Sequence, residues 1–191
     1  VGGAIIIVLG LHVAGLIELP FLRRQVRVPM QTVLVASGDL QGSASGPHAP
    51  AGGGLATAAK RSAEAAGLDS QLVELVNLRV SQINGCAFCI NMHTQDARKL
   101  GETEQPPYLL SAWRESPLYT ERARAALAWT DPVTLIADTH APDDVYEEMR
   151  AHFSEAEAVN LTMLSGAINA WNRIAISFRA IHPVKAKAAA A

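Results

Sequence analysis

Residues 74–93 read ELVNLRVSQINGCAFCINMH. This stretch holds both of the chain's cysteines, Cys86 and Cys89, spaced C-x-x-C. Ahead of them, Leu72, Leu75, Val76 and Val80 recur at helical spacing up to Asn84-Gly85, a stop signal. A second helix is then expected to begin around Cys86 and end at Gly101. If so, Cys86, Cys89 and His93 share one face, because residues three and four apart are neighbours on a helix surface. The partial positive charge and free N–H groups of a helix N-terminus favour thiolate over thiol. His93, one turn past Cys89, can take or relay the thiol proton. Glu74 lies on the preceding helix, about three turns before the turn. An antiparallel return brings it alongside the second or third turn of the cysteine helix, where it can orient His93 or act as a base. The set reads as carboxylate, histidine, thiolate and a second thiol close enough to form a disulfide.

Two other readings compete. A structural zinc site needs four ligands, but only two cysteines and one histidine are local. His12, His48, His140, His152 and His182 are scattered, so neither a metal nor a cofactor is expected. Two core cysteines would pack simply as small hydrophobes. Glu74 and His93 at matching helical positions weigh against that.

Working outward, 191 residues allow one domain of ordinary size with a tail. Hydrophobic residues make up 49%, enough for a real core. A net charge of -2, with no basic stripe, argues against nucleic acid. Two cysteines cannot build a secreted-type disulfide framework, so the pair points to redox or metal chemistry in a reducing compartment. After residue 54 the pattern is helical. Expected helices cover 55–66 (stopped by Gly67), 70–84 (capped by Asp69 or Ser70), 86–101, 108–114, 120–137 (with Pro132 as a kink or boundary), 142–152 and 155–178. Ser154-x-x-Glu157 is a capping-box match at the head of the last. Gln105–Pro107 reads as punctuation. The fold class is all-α, with about seven helices over 55–182.

Residues 1–30 are strongly apolar, with Arg23, Arg24 and Arg27 closing the run. The length approaches that of a membrane span, and the arginines would keep the body of the protein cytoplasmic. The positive charge follows the apolar run, which is wrong for a secretory signal. GGAIIIVLGLHVAGLIELPFLRRQVRVP resembles one transmembrane helix and loop of the cytochrome c biogenesis (DsbD-type) membrane protein family. That family needs several such helices with their own cysteines, and none follow, so its electron transport does not carry over. A first residue of Val is read as a fragment or an unusual start. Residues 31–54, rich in Gly, Ser, Pro and Ala, read as a linker. The expectation is a cytoplasmic protein, with residues 1–22 either a membrane contact or, as His12 and Glu18 suggest, a buried or partner-bound helix.

Residues 72–101, LVELVNLRVSQINGCAFCINMHTQDARKLG, resemble the core of the AhpD-like alkylhydroperoxidases, within the carboxymuconolactone decarboxylase superfamily. The pattern E-x11-C-x2-C-x3-H falls on Glu74, Cys86, Cys89 and His93. The likeness continues through YLLSAWRESPLYTERARAALAWTDPVTLI and AINAWNRIAISFR, so it covers essentially everything after the linker. It implies an all-helical, homo-oligomeric peroxidase that reduces organic hydroperoxides with its cysteine pair, in antioxidant defence. Cys89 would attack the peroxide and Cys86, the more exposed, would resolve it as a Cys86–Cys89 disulfide. Glu74 and His93 would relay protons, and an external thiol donor would restore the pair. The family's best-studied members carry a second histidine just before the second cysteine, where this chain has Phe88. The alternatives are a thiol-disulfide relay or redox-responsive protein with little turnover, and a decarboxylase-type lyase, against which the cysteine pair argues. Trp171, Asn172 and Arg173 should pack near the site. Trp113 and Trp129 read as core or subunit contacts, His140 and His152 as surface residues, and Arg79 and Asp96 as a pair between neighbouring helices.

Overall fold

Asp69 starts the helix that carries Glu74. Its extended backbone and side-chain carboxylate, accepting from Leu72 N–H at 2.8 Å, satisfy one of the free donors of the first turn. Gly85 stops that helix in the left-handed region at φ 70°, where an L side chain is strained and glycine is not. Its N–H and that of Cys86 close back on Gln82 and Ser81 carbonyls. The chain thus reverses within two residues and starts the cysteine helix.

The computed structural model describes residues 51–183. In chain order the helices are α1 (Ala51–Ala65), α2 (Ser70–Asn84), α3 (Ala87–Lys99), α4 (Gln105–Leu109), a 3-10 turn (Leu110–Ala112), α5 (Glu121–Thr134), α6 (Ile136–Thr139), α7 (Asp143–His152) and α8 (Glu155–Ser177). There is no strand among the described residues. The all-α expectation therefore holds.

α8 is the central strut, packing against α1, α2 and α5. Ser154 and Glu157 form the capping box at its head: Glu157 N–H donates to Ser154 Oγ at 3.3 Å, and Ser154 N–H to Glu157 Oε2 at 2.9 Å. Arg122 also binds the Glu157 carboxylate. Burial alone would push that carboxyl up, but the Ser154 bonds and Arg122 hold it below its ordinary value.

The main core joins Val73 and Val76 of α2, Ala125 and Ala126 of α5, Phe153, and Leu161 and Leu164 of α8. Alanines at 59, 63, 125, 126, 158 and 167 leave little between the helix backbones. Full burial of a leucine such as Leu161 contributes about 1.5–3 kcal/mol. A second cluster, Leu75, Leu78, Leu110, Trp113, Tyr119 and Leu127, holds the 3-10 turn against α2 and α5. Asp131 accepts from Arg79 at 2.6 and 3.2 Å, from Arg114 at 2.8 Å and from Trp113 Nε1 at 3.4 Å.

Several expectations are corrected. The segment expected as one helix over 120–137 splits at Leu135, just past Pro132, which gives eight α-helices among the described residues where about seven were expected. Pro106 and Pro107 open a helix instead of interrupting one, as proline is tolerated in a first turn where its missing N–H would have no partner. α1 starts at Ala51, inside the stretch read as linker. Arg79 pairs with Asp131 on α5 and Asp96 with Lys99 at 2.6 Å on its own helix, so they do not pair with each other. The expected apolar helix and linker at 1–50 lie outside the described residues. Among the described residues no helix is long and apolar enough to cross a membrane.

Candidate active site

Cys86 is the N-cap of α3, one residue ahead of the helix proper. Its sulfur accepts from Cys89 N–H at 3.4 Å, so a free N–H of the first turn points at it. Cys86 and Cys89 are joined as a disulfide, with Cα atoms 5.3 Å apart, a normal span for such a bond. Both are buried, at 2% and 0% exposure. Cys86 is the more exposed of the two only by this small margin, and Ala175, Phe88 and Trp171 pack around the cysteine pair.

Phe88, at the position where the family's best-studied members carry a second histidine, packs against the cysteine pair. It supplies apolar contact and no proton. Trp171 packs there from α8, as expected. Asn172 and its neighbours act one step back. Asn84 Nδ2 donates to Asn169 Oδ1 at 2.9 Å and Asn172 Oδ1 at 3.0 Å, while Asn172 Nδ2 donates to Ser81 Oγ at 3.2 Å. Arg173 donates to the Asn169 carbonyl at 2.9 Å. This buried amide network ties the last turn of α2, and with it the Gly85-Cys86 turn, to α8.

The antiparallel return of α3 along α2 puts His93 Nδ1 2.7 Å from Glu74 Oε2. Glu74 is 1% exposed and His93 7%. His93 Nε2 is buried and has no hydrogen-bond partner among the described residues. The other Glu74 oxygen is taken by Lys60 Nζ at 2.5 Å. Burial alone would push the Glu74 carboxyl up, yet the bonds and charges of His93 and Lys60 hold it below its ordinary value of 4.5. For Lys60, burial works downward but is outweighed by Glu74, Glu64 and Asp96, which leave its ammonium favoured.

The four residues singled out in the sequence thus form two bonded pairs, Cys86–Cys89 and Glu74–His93. What joins the pairs is α3 itself, with His93 one turn beyond Cys89 on the same face. Lys60 was missed. Its signal was a lone lysine in helical register with Ala56 and Ala63 on the apolar face of α1.

A cavity of about 210 Å³ opens beside the Glu74–His93 pair; neither cysteine lines it. Lys60, Glu74, His93 and Asp96 line its polar end, and Met92, Leu164, Ile168 and Trp171 its apolar wall. A larger cavity of about 500 Å³, lined by Gln82, Ile90, Thr94, Arg98 and Tyr108, touches none of these four polar groups. Glu74, His93 and Asp96 offer ligand atoms within 4.8 Å of one another, a spacing a cation could use. The Lys60 ammonium already sits on Glu74, and its charge opposes a second cation there.

An all-helical domain with a buried C-x-x-C disulfide and a carboxylate–histidine pair on the neighbouring turns defines the class. The chain belongs to the carboxymuconolactone decarboxylase family, whose model matches residues 52–132. It is 50% identical over 104 residues to the uncharacterized protein YdfG of Bacillus subtilis, covering 54% of this chain and 71% of that protein. An uncharacterized Mycobacterium tuberculosis protein is 34% identical over 116 residues, which span 61% of this chain but 40% of that one. A crystal structure from Agrobacterium tumefaciens superposes with a TM-score of 0.64 at 52% identity, covering 68% of this chain and 89% of that one. It is described as a protein of unknown function and a candidate antioxidant defence protein AhpD. These matches lend no support to the DsbD-type resemblance of residues 1–29.

Proposed function

We propose that this protein reduces organic hydroperoxides with Cys86 and Cys89. The observation that carries the reading is the disulfide at the head of α3, with the Glu74-bonded His93 one turn beyond it. In the reduced state His93 takes the Cys89 thiol proton. The Cys89 thiolate attacks the outer peroxide oxygen, the O–O bond breaks, and sulfur is oxidised to sulfenic acid. The departing alkoxide takes the proton from the imidazolium and leaves as the alcohol. The Cys86 thiol then condenses with the sulfenic acid, releasing water and forming the disulfide. An external dithiol restores both thiols and is itself oxidised to a disulfide.

Cys89 suits the attacking role because it is the cysteine one turn from His93. Cys86, whose sulfur meets the helix N-terminus through Cys89 N–H, suits the resolving role and the leaving group when the disulfide is reduced. The family's name suggests decarboxylation, but a cysteine pair in disulfide geometry supports redox chemistry instead. The cavity of about 210 Å³, largely apolar and ending at His93, supports an alkyl substrate of modest size.

Turnover of an alkyl hydroperoxide with excess dithiol tests the proposal. Cys89→Ser abolishes alcohol formation, while Cys86→Ser allows one sulfenic acid per chain and blocks recycling through the internal disulfide. Full turnover in both variants would refute it.

A further inference from the structure

We infer that Lys60 is a positioning residue of the site: its ammonium balances the charge of the Glu74 carboxylate, so that Glu74 accepts from His93 Nδ1–H and Nε2 is left unprotonated as the base. The inference rests on the peroxidase reading for its consequence on rate, but not for its consequence on His93 itself.

The geometry leads there in steps. Glu74 is almost wholly buried, and a buried carboxylate is costly unless it is paired and hydrogen-bonded. Among the described residues its two oxygens have one partner each, Lys60 Nζ at 2.5 Å and His93 Nδ1 at 2.7 Å. If Lys60 supplies the balancing positive charge, His93 need not, and the imidazole stays neutral with its one proton on Nδ1. Nε2 is then a lone pair in a buried place with no donor on it among the described residues. Without Lys60 the pair Glu74–His93 would have to balance alone, and the second proton on the imidazole becomes its source of charge.

The surrounding groups do not supply that charge. Lys60 comes from α1, Glu74 from α2, and His93 and Asp96 from α3, while α8 contributes the uncharged Leu164, Ile168 and Trp171. Glu64 also acts on Lys60 from within α1. Asp96 and Glu64 are acidic, so without Lys60 they add to the pull on a proton.

Two measurements on Lys60→Met, Lys60→Arg and the native chain test this. The first is the ¹⁵N spectrum of the His93 ring against pH. The native protein shows Nδ1–H with bare Nε2 at pH 7, Lys60→Met shows the doubly protonated ring at that pH, and Lys60→Arg restores the native pattern. The second is the pH profile of thiol oxidation by an alkyl hydroperoxide. Its acidic limb moves to higher pH in Lys60→Met and returns in Lys60→Arg. Should Lys60→Met fold poorly, Lys60→Gln carries the same expectation with a polar, uncharged head. An unchanged His93 spectrum in the charge-removed variant overturns the inference. Spectra that change as stated, in a protein that hydroperoxide does not oxidise, would sustain the role of Lys60 and overturn the peroxidase reading alone.

Discussion

His93 Nδ1 lies 2.7 Å from Glu74 Oε2, across nineteen residues of chain and one helical reversal. The bond fixes which ring nitrogen is committed and which is left over. His93→Asn removes the base and should slow oxidation of the reduced cysteines by an alkyl hydroperoxide by about a hundredfold or more. Glu74→Gln keeps the size but not the charge, and should slow it less, by about tenfold, since it acts through the imidazole. Stopped-flow oxidation rates at one pH check both, with circular dichroism to show that each variant is folded.

The amide network behind the cysteine turn is a matter of stability. Asn172 is wholly buried and bonds both Asn84 and Ser81. Asn172→Ala removes two bonds and leaves a polar cavity, which should cost about 2–3 kcal/mol. Urea unfolding of the oxidised proteins measures it. An exposed position such as Arg173, changed to Ala, should cost well under half of that.

Tyr119 gives a pH signature at the alkaline end. Its hydroxyl donates to the Pro106 carbonyl at 2.7 Å, and burial, helped by Glu102, pushes the phenol from 10.0 up to about 12. A folded-state value above the unfolded one means stability that is full below pH 10 and is lost as pH rises toward 12. Thermal unfolding between pH 9 and 12 should therefore fall more steeply in the native protein than in Tyr119→Phe.

Glu157 gives the opposite sign at the acid end. Its carboxyl is held below the ordinary 4.5 by Ser154 and Arg122. That contribution is full above pH 4.5 and is lost as pH falls through the depressed value. Glu157→Ala should cost about 0.5–2 kcal/mol at pH 7, typical of losing a helix cap. The gap between variant and native protein should close in acid, which thermal melts from pH 7 to 3 will show.

Much of this was legible in the chain, and the reasons are local. Asp69, Gly85, Thr120 and the Ser154–Glu157 box act within a turn of themselves, so their spacing places helix ends directly. Glu74 and His93 could be paired because one short reversal fixes the register of α2 against α3. What escaped depends on contacts far apart in sequence. Arg79 finds Asp131 fifty-two residues on, which helical period cannot foresee. Lys60 joins Glu74 only because α1, α2 and α3 meet at one point. The burial of Cys86 is set by Trp171 and Ala175 on α8, whereas position at a helix end alone suggested exposure. Pro106-Pro107 shows that the same residue can stop a helix or start one, depending on which turn it occupies.

The central claim is that Cys86 and Cys89 are a peroxide-oxidised pair. Trp171 packs against the cluster that holds Cys86 and Cys89, so its fluorescence should report their state. The most direct measurement is stopped-flow mixing of the reduced protein with one equivalent of alkyl hydroperoxide, following fluorescence, free thiols and alcohol together. The account predicts a fast fluorescence change, two thiols lost and one alcohol formed per chain, with no loss in Cys89→Ser. Thiols that stay reduced while the hydroperoxide is unconsumed, or equal consumption in Cys89→Ser, would contradict it.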